Sequence, residues 1–285
     1  GLHLVTDGKA NPLKTTTYGT GELIKAALDE RVDKIIVGLG GSATIDGGVG
    51  MAQALGVSFK DFNGSEVGYG GENLAYIDKI DLSKLDSRIN KTDIVIASDV
   101  TNPLYGFNGA AYVYGPQKGA TAEMIKILDE SLQSFARVIK KETGKEVGNI
   151  PGSGAAGGMG AAFLAFFNAK FEPGIDLILD INHIGEYLQK VNLVITGEGR
   201  IDKQTLMGKT PLGVAKRAKQ FNLPVIAIAG SVEDTAIDDL NNYIDGVFSI
   251  IQEPTSTEKA IAKTEEWIQI TVRQLVKGCF LQVES

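Results

Sequence analysis

The chain has 285 residues, 43% hydrophobic and 22% charged, an ordinary globular balance with apolar material for more than one core. Its net charge of -7 repels polyanions and argues against nucleic acid as the main partner. The single cysteine, Cys279, excludes an intramolecular disulfide and a cysteine-rich metal site and fits a reducing, cytoplasmic setting. No apolar run reaches the roughly eighteen residues of a spanning helix, so no membrane partner is expected.

The chain begins at Gly1 and enters a strand-like apolar run, Leu2 to Val5, which carries the expectation that sequence upstream is missing. Asp33 to Gly40 reads as a buried strand running into a glycine turn, and Asp93 to Asp99 as another that ends on an acid. Ala120 to Thr143 has helical spacing, with Met124, Ile127, Leu128, Leu132, Phe135 and Ile139 on one stripe. Ala155 to Ala169 reads as a buried helix whose first turns are nearly all glycine and alanine, small enough for a backbone or ligand to approach. Beyond Asn192 the pattern becomes strand (193–196), helix (211–220), strand (224–230), a βαβ unit with a parallel sheet. A strand at 246–251 and a closing helix at 257–276 complete a half-sheet.

Four glycine-rich stretches carry the chemistry. The first, Gly38 to Met51, follows a predicted strand. It offers bare amides with the hydroxyls of Ser42 and Thr44 and the acid Asp46, a composition suited to phosphate. It also meets the loose G-x-G-x-x-A pattern of dinucleotide sites, with Asp61 at ribose distance, although glycines at 47, 48 and 50 would interrupt the helix such a turn starts. Packing turns are the plain structural alternative. In the second stretch, Ser98 to Gly106, Asp99 at a strand end suits magnesium or a proton, and Asn102 is held extended by the following proline. Asn-Pro is equally a turn opening. Lys118 sits between glycines before a helix, where its charge would meet a phosphate or carboxylate or simply be solvated.

The third stretch, Gly152 to Gly160, again offers bare amides, including those of Gly154 and Gly157, or a helix-packing surface. In the fourth, Thr196 to Asp202, a strand is expected to deliver Glu198, Arg200 and Asp202 to a cleft, with Arg200 fitted to bidentate capture of an anion and a salt bridge within the loop as the alternative. Gly208-Lys209-Thr210 resembles the end of a phosphate loop but lacks its first glycine, leaving Lys209 as a side chain that reaches toward a nucleotide. His3 and His183 are the only histidines and lack metal-ligand spacing.

Thr17 to Ile24, Gly38 to Met51, Asp99 to Gly106, Gly115 to Ala120, Gly152 to Gly160 and Thr196 to Ala215 together resemble the bacterial glycerate kinase family, in order and over essentially the whole chain. The resemblance implies phosphorylation of D-glycerate with ATP and Mg2+, 2-phosphoglycerate being the usual product. It implies a two-lobed α/β fold with a cleft: an inserted α/β lobe at 1–191, and at 192–285 a Rossmann-like lobe with a partial parallel sheet. The family's N-terminal strand, with its lysine-serine stretch, and an Asp-Gly-Gly-Glu-Gly-Thr loop have no counterpart, and Ile45 and Ser153 depart from the family pattern.

Phosphoryl transfer asks for positioning and neutralised charge. The expected catalytic group is therefore Asp46, Asp99, Arg200 and Lys118, with Asp99 as the metal ligand. Gly40, Gly41, Ser42, Thr44, Asn102, Gly154, Gly157, Glu198 and Asp202 are expected around the nucleotide. A small-molecule substrate and a monomer or homodimer complete the expectation. A nicotinamide-dependent oxidoreductase using the Gly38 turn and a non-catalytic binding fragment are the alternatives.

Overall fold

The computed structural model describes residues 1–5, 10–203, 205 and 210–279. The chain divides into two compact units, Gly1–Gly174 and Ile175–Ser285, each with its own apolar core.

In the first unit, α1 (Tyr18–Asp29) leads to β1 (Lys34–Gly38), α2 (Val49–Ala54) and β2 (Ser58–Lys60). Next come β3 (Lys79–Asp81), β4 (Asp93–Ala97), α3 (Ala110–Tyr114), α4 (Ala122–Thr143), α5 (Ala155–Phe166) and β5 (Lys170–Glu172). β1, β4 and β5 form a parallel sheet in that order, and β2 pairs antiparallel with β3 in a separate ribbon. Parallel strands with apolar Ile94, Val95 and Ile96 fully buried in the middle one need cover on both faces.

Helix α4 joins the apolar core of this unit, because Leu128, Leu132, Phe135 and Ile139 recur at helical spacing and are all buried. Thr121 caps its start by accepting from the Met124 amide, and Gly144 ends it in a left-handed conformation. Phe59 packs against Phe135 and Phe166 at ring separations of 6.0 and 5.8 Å, tying the ribbon to both core helices.

The expected strand at Leu2 to Val5 is instead a 3-10 turn, Leu2–Leu4. Leu4 is exposed, and although the Leu2 amide donates to the Gly41 carbonyl, no β-bridge joins this run to another strand among the described residues. The expected smooth helix from Ala155 also differs. Ala156, Gly157 and Gly158 are left-handed at φ 52, 74 and 92, so the regular helix begins beyond them.

The second unit contains α6 (Gly174–Ile181), α7 (Ile184–Leu188), β6 (Val194–Ile201), α8 (Thr210–Lys219) and β7 (Val225–Val232). It closes with α9 (Asp234–Leu240), β8 (Gly246–Ser249), α10 (Thr257–Ala262) and α11 (Thr264–Cys279). β6, β7 and β8 form a parallel sheet in chain order, the βαβ pattern read from the sequence. The closing helix is two, parted at Lys263, where φ -100 and ψ 9 leave the helical region.

The division at Gly174 and Ile175 lies before the expected boundary at 191/192. Ile175 lies against Gly213 of α8, Arg217 of that helix pairs with Asp180, and Leu188 is part of the second core. Helices α6 and α7 therefore pack with the sheet that follows them.

Candidate active site

Asp46 is 1% exposed, too deep to meet a substrate. Its Oδ2 accepts from the Thr17 amide at 2.7 Å, the Thr17 hydroxyl at 2.8 Å and the Gly50 amide at 3.3 Å, while Oδ1 takes the Gly48 amide at 3.2 Å. Burial pushes its carboxyl up and the hydrogen bonds from Thr17, Gly48 and Gly50 work against that shift. The carboxylate thus ties the start of α1 to the start of α2. The sequence reading missed Thr17 as its partner, although a hydroxyl just before a helix is a recognisable capping signal.

Lys118 is 2% exposed and is not a solvated loop lysine. Its Nζ donates to the Ser42 hydroxyl at 2.7 Å and to the Thr44 carbonyl at 2.8 Å. Burial pushes the ammonium down to about 8, and the Asp46 charge opposes the shift. Ser42 is half-buried and lies between this cation and the open end of the loop. The Thr44 hydroxyl is buried without a hydrogen-bond partner, as is that of Ser153.

The first and third glycine stretches interlock. The Gly47 amide donates to the Gly157 carbonyl at 3.1 Å, and a Cβ on Gly157 would stand 1.9 Å from the Thr44 carbonyl oxygen. The third joins the second in the same way: the Gly154 amide donates to the Asn102 carbonyl at 3.0 Å, and a Cβ on Gly154 would meet the Pro103 carbonyl oxygen at 2.2 Å. Asn102 is engaged by its side chain as well, accepting from the Tyr114 hydroxyl and donating to the Asn108 carbonyl. Gly154, Gly157 and Asn102 are therefore packing positions of the described fold.

Gly38 and Gly40 differ in kind. Both are exposed, neither has a positive φ, and a Cβ on either would meet nothing within 4 Å. The described fold therefore does not account for glycine at these two positions. Gly41, also exposed, has φ +62.

Asp99 follows β4 and is exposed, with one carboxylate oxygen 3.4 Å from the Gly174 amide. Among the described residues no cluster of three or more histidine, cysteine or acidic side chains could hold a metal by itself.

The dinucleotide alternative is not what the fold presents. Residues 39–48 separate β1 from α2, where a Rossmann turn passes directly into its helix. β2 leaves the parallel sheet for the ribbon, and Asp61 spends its carboxylate on the Asn63 and Ser65 amides of a turn.

The fourth stretch is strand rather than loop. β6 runs through to Ile201, and Glu198 and Arg200 pair with Ala229 and Ser231 of β7. Spaced two apart, they share a face of the sheet. Glu198 accepts from the Thr205 hydroxyl at 2.6 Å; Thr205 is fully buried and was not singled out from the sequence. Arg200 is 64% exposed and lies 3.5 Å from both Asp202 and Glu233. The expected salt bridge exists while much of the guanidinium faces solvent. Lys209 lies outside the described residues.

This unit also holds a cavity of about 780 Å³ along the carboxyl halves of β6 and β7, walled by Gly197 to Gly199, Ala229, Gly230 and residues of α10 and α11. The sequence reading missed its far wall, since Thr255 to Thr257 carry no motif. No helix among the described residues is long and apolar enough to cross a membrane.

The glycerate kinase family model matches residues 1–279. The chain is 51% identical over 275 residues to the glycerate kinase of Halalkalibacterium halodurans, covering 96% of this chain and 72% of that one. With the glycerate 2-kinase of Escherichia coli (strain K12) it shares 50% identity over 251 residues, 88% of this chain and 66% of the relative. The crystal structure of a Salmonella typhimurium LT2 protein assigned as glycerate kinase 2 superposes with a TM-score of 0.83 at 47% identity, over 98% of this chain and 73% of that one. A family model matching residues 1–279 and identity near one half over most of the chain leave one conclusion: the chain belongs to the glycerate kinase family.

Proposed function

We propose that the chain moves the terminal phosphoryl group of ATP, accompanied by Mg2+, to a hydroxyl of D-glycerate, with 2-phosphoglycerate as the product. Supporting the substrate and position are relatives named glycerate kinase and glycerate 2-kinase. The observation that carries the reading is the interlock of three glycine-rich stretches beside an open Gly40 and Gly41, with Ser42 backed by the buried Lys118. A transferring phosphoryl group spreads charge over three oxygens, and bare amides, a hydroxyl and a cation behind them stabilise that charge without reorganising.

In this reading Gly40, Gly41, Ser42 and Thr44 line the phosphate path. Lys118 and Asp46, both buried, are positioning residues: the first holds Ser42 and the Thr44 carbonyl, the second holds the turn behind them. The hydroxyl oxygen of the acceptor bonds to phosphorus as the bridging phosphorus–oxygen bond of the donor breaks, and the hydroxyl proton must leave. In this reading Asp99, an exposed carboxylate near the end of β4, takes that proton or holds the metal. A magnesium ion takes one or two carboxylates together with substrate phosphates and water, a demand that Asp99 fits and the fully engaged Asp46 does not. When bound, the ion neutralises charge on the phosphates. In the second unit, Arg200 offers its exposed guanidinium to an anionic group, with Asp202 orienting it and Glu198 on the same face.

The test is glycerate-dependent ADP release, with the product identified by NMR. Asp99→Asn is expected to lower kcat by about 100-fold; recovery at raised magnesium assigns it to the metal, and no recovery assigns it to the proton. Arg200→Ala is expected to raise KM for an anionic substrate about tenfold. Wild-type turnover in both variants overturns these assignments.

A further inference from the structure

The cavity of the second unit has a composition unlike the phosphate path. Its volume, about 780 Å³, is that of a site for a whole small ligand. Ile195, Ile228, Ile250, Ile251, Ile261 and Ile268 give it apolar walls, and among the described residues no lysine or arginine lines it. Among the described residues the one charged residue along it is Glu198, whose carboxylate accepts from the buried Thr205 hydroxyl and lies on the Arg200 face of the sheet, not that of Gly199. A phosphate or the carboxylate of a small acid would meet no cation among the described lining residues, whereas a flat uncharged ring would meet branched aliphatic walls.

Two further observations point to a ligand. Gly199 lies inside β6, where glycine weakens a strand, yet its φ is not positive and a Cβ would meet nothing within 4 Å. Its neighbours Gly197 and Gly230 are explained by the sheet itself, because a Cβ on either would come within 2.6 or 2.7 Å of a carbonyl on the adjoining strand. Glycine at 199 thus leaves an opening on the cavity wall that the fold does not need. Thr255 also lines the cavity, and its hydroxyl is buried with no hydrogen-bond partner among the described residues. The carboxyl halves of parallel strands are where α/β sheets place ligands.

The geometry points to this cavity as the seat of the nucleoside half of the phosphate donor: an aromatic base held between the isoleucine walls over Gly199, beside Thr255. The inference deepens the proposed kinase reading and rests on it for the identity of the nucleotide. It concerns the nucleoside alone, held by the second unit.

The full chain is titrated by calorimetry with adenosine and, separately, with tripolyphosphate. Adenosine is expected to bind the wild type and to bind about tenfold more weakly to Ile261→Asp, which places a charge on the apolar wall at a residue 70% exposed and so spares the core. Gly199→Val, which fills the opening, is expected to weaken adenosine similarly with an unchanged melting temperature. Tripolyphosphate binding should not move in either variant. Adenosine that fails to bind the wild type, or binds all three proteins equally, overturns the inference. A cavity variant with wild-type KM for ATP overturns it alone and leaves the kinase reading standing. Absent glycerate-dependent ADP release, with variant-sensitive adenosine binding retained, sinks the kinase reading and keeps the cavity.

Discussion

Lys118 is the residue whose environment departs furthest from its sequence reading. A lysine between two glycines reads as one that grips an anion or is solvated, outward-facing in either case, because nothing local announces that the side chain turns inward to Ser42 and the Thr44 carbonyl, more than seventy positions away in sequence. The folded protein releases its proton at about 8 and the unfolded chain at the ordinary 10.5. Below pH 8 both states are protonated and the cost of the buried cation is fully present; between the two values the unfolded state holds the extra proton, so stability rises with pH across that window. Asp46 is the charge that faces it and moderates the shift. Urea unfolding at pH 7 to 10 should therefore show the wild type gaining on Lys118→Met by up to about 1.4 kcal/mol per pH unit above pH 8. A difference that stays constant with pH contradicts a depressed Lys118.

The elements themselves were largely legible. Apolar periodicity placed β1, β4, α4, α8 and β7 within a few residues, since each has a buried stripe or a continuous apolar run bounded by turn residues. The exceptions share a cause: glycine says that the backbone is unusual without saying how. Thr196 to Asp202 looked like a loop, whereas cross-strand pairing with β7 keeps it extended. Ala155 to Gly158 looked like the start of a helix, whereas the approach of the Thr44 carbonyl forces three residues into left-handed geometry. The same distinction sorts the candidate site. Gly157→Ala has both a forbidden φ and a Cβ 1.9 Å from backbone oxygen, so it should cost at least 2 to 3 kcal/mol by about the scale of overpacking and backbone strain. Gly40→Ala meets nothing, so its melting temperature should stay within about a degree of wild type while kcat/KM falls. A thermal melt and an activity assay on each variant check this; loss of stability in Gly40→Ala would mean that its glycine serves the fold and not a ligand.

At the scale of the whole molecule, sequence pattern located both cores but not the line between them. The switch to strands at Asn192 is a conspicuous compositional signal, whereas the allegiance of α6 and α7 depends on tertiary contacts such as Ile175 on Gly213. Net charge was readable outright and bears on function. At -7 the chain repels both of its proposed anionic substrates at long range, while Arg200 attracts them only at contact. Long-range repulsion extends about 30 Å at 0.01 M salt and about 8 Å at 0.15 M. Raising the ionic strength between these values should therefore increase kcat/KM by about two- to threefold, the opposite of an enzyme with a cationic funnel. Adenosine, which carries no charge, should bind equally well at both salt concentrations. A fall in kcat/KM with added salt would show that local cations, and not the net charge, govern substrate encounter.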